Sequence, residues 1–272
     1  MVEILESRVL NPQITLLKLK AERIAKKVQP GQFVILHQDE FAERIPLTIA
    51  DSDAEEGWIT VIVQAAGDST RRLCALKTGE FIKDVVGPLG SATDFEDAQN
   101  ICVIGGGVGC AIAYPSAKAC HNRGAHVDLI AGFKNESLVI LKEEMNAIAD
   151  DFTLISDDGS TGKKGFVTDA LAENLAKGKK YDLVIAIGPI IMMKNVCKVT
   201  KEAGIKTLVS LNPIMIDGTG MCGGCRVTVG GKVKFACVDG PDFDGHQVDF
   251  DELMQRNRTY LEDHRCHLEG VK

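Results

Sequence analysis

The sequence predicts an α/β plus all-β protein: an N-terminal antiparallel β-barrel, a doubly wound parallel sheet, and a small C-terminal cysteine segment. Three observations predict it. Short apolar runs separated by turn residues fill about the first 90 positions. Strand-like and helix-like runs alternate from about residue 97 to 211. Three cysteines and an aspartate then crowd into residues 217–237. The boundaries drawn from these patterns are 1–96, 97–211 and 212–272.

The barrel strands are read at Ile14 to Lys20, Gly31 to His37, Ile45 to Ala50 and Trp58 to Gln64. Each is short, apolar and partly alternating, and turn residues such as Gln29-Pro30-Gly31 and Asp51-Ser52-Asp53 separate them. A helix is expected at Thr70 to Lys77. The second region opens on a continuous apolar strand, Asn100 to Gly105, followed by a glycine loop and a helix, Ala111 to Arg123. Strands at His126 to Ala131, Phe152 to Ser156, Tyr181 to Ile187 and Lys206 to Leu211 alternate with helices at Ser137 to Ala149, Val167 to Leu175 and Met193 to Ala203. That alternation means a parallel sheet. Arg226 to Ala236 reads as a hairpin turning at Gly230-Gly231. Residues 249–268 read as a polar helix.

Composition narrows the function classes. The chain has 272 residues, a net charge of −7 and 45% hydrophobic residues, which allows a sizeable core. No lysine/arginine run stands out, so nucleic acid is not the expected partner. No apolar stretch approaches the roughly 20 residues that span a bilayer. The first residues lack a basic and apolar leader. A cytoplasmic location is expected, with the nine cysteines as reduced thiols or metal ligands.

Three sites stand out. Gly105, Gly106, Gly107, Val108 and Gly109 lie between a strand and a helix, where glycines admit a pyrophosphate and the helix start offers N–H donors. A tight turn without a ligand is the competing reading. Asp157, Asp158 and Gly159, and then Gly188 and Pro189, follow later strands of the same sheet and so converge on the ligand-binding edge. The second site combines Arg44, Pro46, Leu47 and Thr48 with Val63, Gln64, Gly67, Ser69 and Thr70. Arginine neutralises phosphate and a hydroxyl bonds a flavin nitrogen, although taken alone the residues are better explained by a proline-bearing strand and a capped helix. The third site is Asp217, Cys222, Cys225 and Cys237, spaced D-x4-C-x2-C-x11-C. This is plant-type ferredoxin spacing with the first cysteine replaced by aspartate. Zinc also accepts three thiolates and a carboxylate, which leaves a zinc-stapled nucleotide-binding regulator as an alternative. The intervening glycines leave room for sulfides and favour the 2Fe–2S cluster. Cys102 and Cys197 read as core thiols, His37 as structural, and Cys110, bordering the nucleotide loop, as a candidate to face the cofactor.

A barrel, a nucleotide domain and a C-terminal cluster loop together resemble the ferredoxin–NADP reductase superfamily. Within it the chain is similar to the electron-transfer subunits of class B dihydroorotate dehydrogenase. It is more similar to the small (alpha) subunits of NADH-dependent ferredoxin:NADP oxidoreductase, also described as sulfide dehydrogenase subunits. Asp217, where the dihydroorotate group has a cysteine, separates the two. The resemblance implies FAD held by Arg44 to Thr48 and Gly67 to Thr70, with Pro46 and Leu47 on the flavin edge. The superfamily motif R-x-Y-[ST], set on Thr48, puts Ile45 at the arginine position, so Arg44 would reach the pyrophosphate from one residue earlier. NAD(H) would lie on Gly106 to Gly109 with Asp157, Asp158, Gly188 and Pro189 around it. The implied activity is an oxidoreductase relay. A hydride passes from NADH to FAD, and single electrons pass through the cluster to or from a larger flavin/iron–sulfur subunit in a heterodimer. That partner would serve ferredoxin and perform electron bifurcation, and no catalytic acid or base is required of this chain.

Overall fold

The computed structural model describes residues 1–258. The first body is a seven-stranded antiparallel sheet in the order β6-β1-β2-β5-β4-β3-β7. Its elements are β1 (Val2–Asn11), β2 (Ile14–Lys20), α1 (Glu22–Ala25), β3 (Phe33–His37), β4 (Arg44–Asp53), β5 (Trp58–Gln64), α2 (Asp68–Ala75), β6 (Phe81–Ile82) and β7 (Asp84–Leu89). The sheet curls because β4 serves two partners. Arg44 to Thr48 pair with β3, and Ile49 to Asp53 pair with β5, with a register shift between Ile49 and Asp51. Alternate residues Leu17 and Leu19, Val34 and Leu36, and Ile59, Val61 and Val63 fill the concave interior. Strands β1, β6 and β7 are not among those the sequence predicts. β1 carries Glu3, Glu6, Ser7 and Arg8 among its apolar residues, and β7 contains Pro88 at a sheet edge, where a missing N–H costs no ladder bond.

The second body is a parallel sheet, ordered β10-β9-β8-β11-β12 with β15 (Asp242–Asp244) added antiparallel at the edge. It comprises β8 (Asn100–Gly106), α3 (Gly109–Asn122), β9 (His126–Phe133), α4 (Lys142–Ile148), β10 (Asp151–Ser156), α5 (Val167–Ala176), β11 (Leu183–Ile187), α6 (Ile190–Glu202) and β12 (Lys206–Ser210). The strand order reverses between β8 and β11, and ligands bind at such switch points. The helix expected over 137–149 divides into a single 3-10 turn, Glu136–Leu138, and the shorter α4. The apolar run Val139-Ile140-Leu141 between them sends Ile140 and Leu141 into the core, with Leu141 at φ 54°. Tertiary burial overrides the helical pattern there.

The remaining elements are β13 (Arg226–Val229), β14 (Lys232–Phe235), β15 (Asp242–Asp244) and α7 (Phe250–Arg258). The hairpin turns at Gly230 and Gly231, both at positive φ as a two-residue primed turn requires. Cys225, Val227, Ala236, Cys237, Phe243, Phe250 and Leu253 share one core with Val209 of the parallel sheet, Met193 of α6, and Phe33 and Ile35 of the barrel. The C-terminal segment therefore packs as part of both bodies. Of the helix expected over 249–268, α7 is the described part, and the rest lies outside the described residues.

Candidate cofactor sites and the cluster loop

A cavity of about 900 Å³ opens where β4, the start of α3 and the chain after β12 meet. That volume suits a large organic cofactor, since such sites run to roughly 300–1,000 Å³. Arg44, Pro46, Leu47, Thr48, Gln64 and Thr70 line it. Val63 does not, because it is fully buried inside the barrel. Strand alternation instead turns its neighbours Ile62 and Gln64 toward the cavity. Thr70 caps its own helix: its Oγ1 accepts the N–H groups of Ala66 (3.0 Å) and Gly67 (2.9 Å) and donates to Gly67 O. Ser69 is buried and donates to Glu43 Oε2 at 2.6 Å. Gly67 faces open space, so the N-terminus of α2 admits a phosphate close to its backbone.

Arg44 has a second set of partners. Its Nε donates to Ile216 O at 2.9 Å and its Nη2 to Asp217 O at 3.4 Å. Two of its donors are thus spent on the cluster loop, while the residue remains in the cavity wall. Sequence reasoning also missed Glu43, Ala111, Ile112, Asn257 and the run Ser210 to Ile216, all on the cavity wall. The last of these follows a strand of a parallel sheet, and that position was the available signal.

At the switch point the glycines have distinct tasks. A Cβ on Gly109 would lie 2.4 Å from Ile187 O, and one on Gly106 would lie 2.4 Å from Met192 Sδ and 3.1 Å from Pro189 Cδ. These residues let β8, α3 and α6 approach one another. Gly107, at φ 57° with nothing within 4 Å, is the open position. Val108 lines the 900 Å³ cavity, so this loop borders both sites. Gly188 and Pro189 adjoin Gly106 directly. Asp157, Asp158 and Gly159 follow β10, two strand spacings (roughly 10 Å) from β8. The Ser160 hydroxyl and N–H hold the Asp158 carboxyl below its ordinary value. Cys110 is fully buried beside Gly105, with burial pushing its thiol up to about 12, so it faces the core rather than the cofactor.

The cluster loop holds its donors in two sets. Cys225 and Cys237 are buried with their Sγ atoms 3.2 Å apart. Cys222 is exposed, and the Gly224 N–H points at its Sγ from 3.5 Å. That donor, with the backbone of Asp217, lowers the Cys222 thiol, whereas burial pushes Cys237 up to about 11. Asp217 Oδ2 accepts from the Thr219 hydroxyl, the Thr219 N–H (3.0 Å) and the Met221 N–H (3.2 Å), and these bonds lower its pKa. Among the described residues no three His, Cys, Asp or Glu side chains close on a single point. A cluster of two irons shares four protein ligands between its metals. Three soft thiolates and one harder carboxylate, as a buried pair and a more exposed pair, fit that requirement. Gly218, at φ 81°, lets the loop pass the barrel: a Cβ there would be 2.4 Å from Ile35 Cδ1.

Comparison with known proteins agrees with this layout. Residues 103–198 match the oxidoreductase NAD-binding domain, and residues 212–249 match the iron–sulfur cluster binding domain of dihydroorotate dehydrogenase B. The chain is 49% identical over 268 residues to an uncharacterized protein in the adh 3′ region of Clostridium beijerinckii, covering 96% of this chain and 90% of that one. It is 46% identical over 246 residues to a dihydroorotate dehydrogenase B (NAD(+)) electron transfer subunit homolog of Thermotoga maritima, covering 90% and 86%. A chain from the solved NADH-dependent reduced ferredoxin–NADP oxidoreductase, studied for flavin-based electron bifurcation, matches with a TM-score of 0.93 and 41% identity, covering 100% of this chain and 98% of that one.

Proposed function

The chain belongs to the family of dihydroorotate dehydrogenase B electron-transfer subunits and their homologues, and from that membership we propose that it relays electrons between NAD(H) and a larger flavin/iron–sulfur subunit through FAD and a 2Fe–2S cluster. The partner assembly is read as an electron-bifurcating NADH-dependent ferredoxin:NADP oxidoreductase. One observation carries the reading. The wall of the 900 Å³ cavity runs from β4 through Val108 at the nucleotide loop to Ile216, the residue before Asp217. A flavin in that cavity would border both the nucleotide crevice and the cluster loop.

When bound, the flavin exchanges a hydride with nicotinamide and the cluster carries single electrons. The chain's own residues position and exclude. Pro46, Leu47 and Thr48 shape the flavin side of the cavity, and Gly67 leaves the N-terminus of α2 open to phosphate. Gly106 to Gly109 bring a second helix start to the switch point, with Gly188 and Pro189 beside it and Asp157, Asp158 and Gly159 farther along the same edge. Cys225 and Cys237 supply a buried thiolate pair, and Cys222 and Asp217 a more exposed pair. Hydride transfer needs no protein acid or base, and none is assigned.

The names of the relatives favour a second reading, in which the same chain serves a dihydroorotate dehydrogenase. Asp217 in place of a cysteine supports the first. No helix among the described residues is long and apolar enough to cross a membrane, and a reducing cytoplasm suits the eight described cysteines, all free. An anaerobic visible spectrum, with iron, acid-labile sulfide and flavin counted per chain, tests the proposal. Flavin absorbance with two irons and two sulfides is expected. A colourless protein holding one zinc would overturn it. The large subunit that co-purifies separates the two readings.

A further inference from the structure

We propose that Arg44 is a positioning residue of the cluster loop, fixing that loop against the flavin cavity and raising the reduction potential of the group held by Asp217 and its cysteines. The inference rests on the cluster reading above. Arg44 stands on β4, in the cavity wall, yet its guanidinium crosses to the carbonyls of two consecutive residues, Ile216 and Asp217, at 2.9 and 3.4 Å. A planar fork with several fixed N–H donors suits two adjacent acceptors, and an ammonium does not reproduce it. The second of those acceptors belongs to a cluster-ligand residue. At the far end of the same loop Arg256 Nη2, from α7, donates to Gly224 O at 3.3 Å. Between them Gly218 presses on Ile35 of the barrel, leaving no room for a Cβ. The loop is thus gripped from the barrel at one end and from the C-terminal helix at the other.

The electrostatic consequence has a definite sign. Reduction adds one negative charge to the cluster. A fixed positive charge at a ligand residue favours the reduced form, and donors around the ligands act in the same direction. Removing the guanidinium therefore lowers the midpoint potential. A lysine keeps the charge but loses the fork, so its effect falls between.

The test is an anaerobic redox titration of the full chain with its partner subunit, read by the electron paramagnetic resonance signal of the reduced cluster. Iron and sulfide are counted in each sample. Wild type, Arg44→Lys and Arg44→Met are compared with Arg72→Met, which removes an equal charge from the barrel surface near Asp39. The expected result is a lowered midpoint and altered g-values in Arg44→Met, a smaller shift in Arg44→Lys, and no shift in Arg72→Met. A full cluster with the wild-type midpoint in Arg44→Met overturns the inference, as does an equal shift in Arg72→Met. Should Arg44→Met assemble no cluster, Arg44→Lys decides: a lowered midpoint supports the role, and a wild-type midpoint rejects it. A wild-type chain without any cluster would remove the functional reading and this inference together, whereas an unshifted potential removes this inference alone.

Discussion

Asp242 shows how one buried carboxyl can bias the whole protein. It sits at the start of β15, opposite Ser210 of β12, and accepts from the Thr93 hydroxyl at 2.5 Å. Its other oxygen is sealed from solvent without a hydrogen-bond partner. Burial pushes its pKa up, while the Thr93 bond pulls the other way. In the folded protein the carboxyl therefore keeps its proton to higher pH than in the unfolded chain. Stability from this group is present at low pH and falls as pH rises from about 4, the ordinary carboxyl value, through the raised one. The slope is at most about 1.4 kcal/mol per pH unit for one proton. Asp242→Asn keeps an acceptor for Thr93 and removes the titration. Urea unfolding across that range should show a flatter pH profile for the variant, and an unchanged profile would remove Asp242 from the account. At Asp217 the question is ligand hardness. A carboxylate is a harder donor than thiolate, so Asp217→Cys should keep the cluster and shift its midpoint. An unchanged midpoint in a titration of the fully loaded variant would remove Asp217 from the ligand set.

At the scale of elements, the loop between β8 and α3 joins stability to binding. A methyl group on Gly109 would meet backbone, Ile187 O at 2.4 Å and Gly188 Cα at 2.8 Å, and neither yields cheaply. Gly109→Ala should cost about 1–3 kcal/mol by overpacking and should also part the strand ends that form the nucleotide crevice. Gly107→Ala meets nothing and pays only for its positive φ, about 1–2 kcal/mol. Paired urea and NADH titrations should show weaker nucleotide binding for Gly109→Ala, and equal binding in the two variants would rule out the packing role. This loop was legible in the sequence because strand, glycines and helix are consecutive there. The Gly230-Gly231 hairpin and the β2, β5, β8 and β11 strands were legible for the same reason, their signals being local. The strands β1 and β7 were not, because polar residues interrupt the apolar pattern of β1 and Pro88 interrupts that of β7. The break before α4 was not, because burial of Ile140 and Leu141 decides it. Nor was the bond from Arg44 to Ile216, whose partners are separated by 172 positions and whose residue type suggested phosphate instead.

The whole molecule behaves as one packed object despite its three functions. The chain after Leu211 supplies Val227, Ala236, Phe243, Phe250 and Leu253 to the core that also holds Val209 of the parallel sheet, Met193 and Val196 of α6, and Phe33 and Ile35 of the barrel. It also supplies β15, which pairs Phe243 with Val209 and Asp244 with Leu208 along the outer edge of β12. Fully burying a large apolar side chain contributes about 1.5–3 kcal/mol. Several such side chains approach the roughly 5–15 kcal/mol that holds a typical domain folded. A chain ended after Leu211 would expose that face and leave the edge of β12 unpaired, a template for aggregation. It should lose near-UV circular dichroism, bind a hydrophobic dye and precipitate, although residues 103–198, which match the NAD-binding domain, are all retained. A well-folded, NADH-binding product with native near-UV signals would instead make residues 212–258 a separable appendage. The expected failure follows from the same packing that brings the cluster loop to the flavin cavity: the segment that holds the cluster also closes the core beneath the nucleotide sheet.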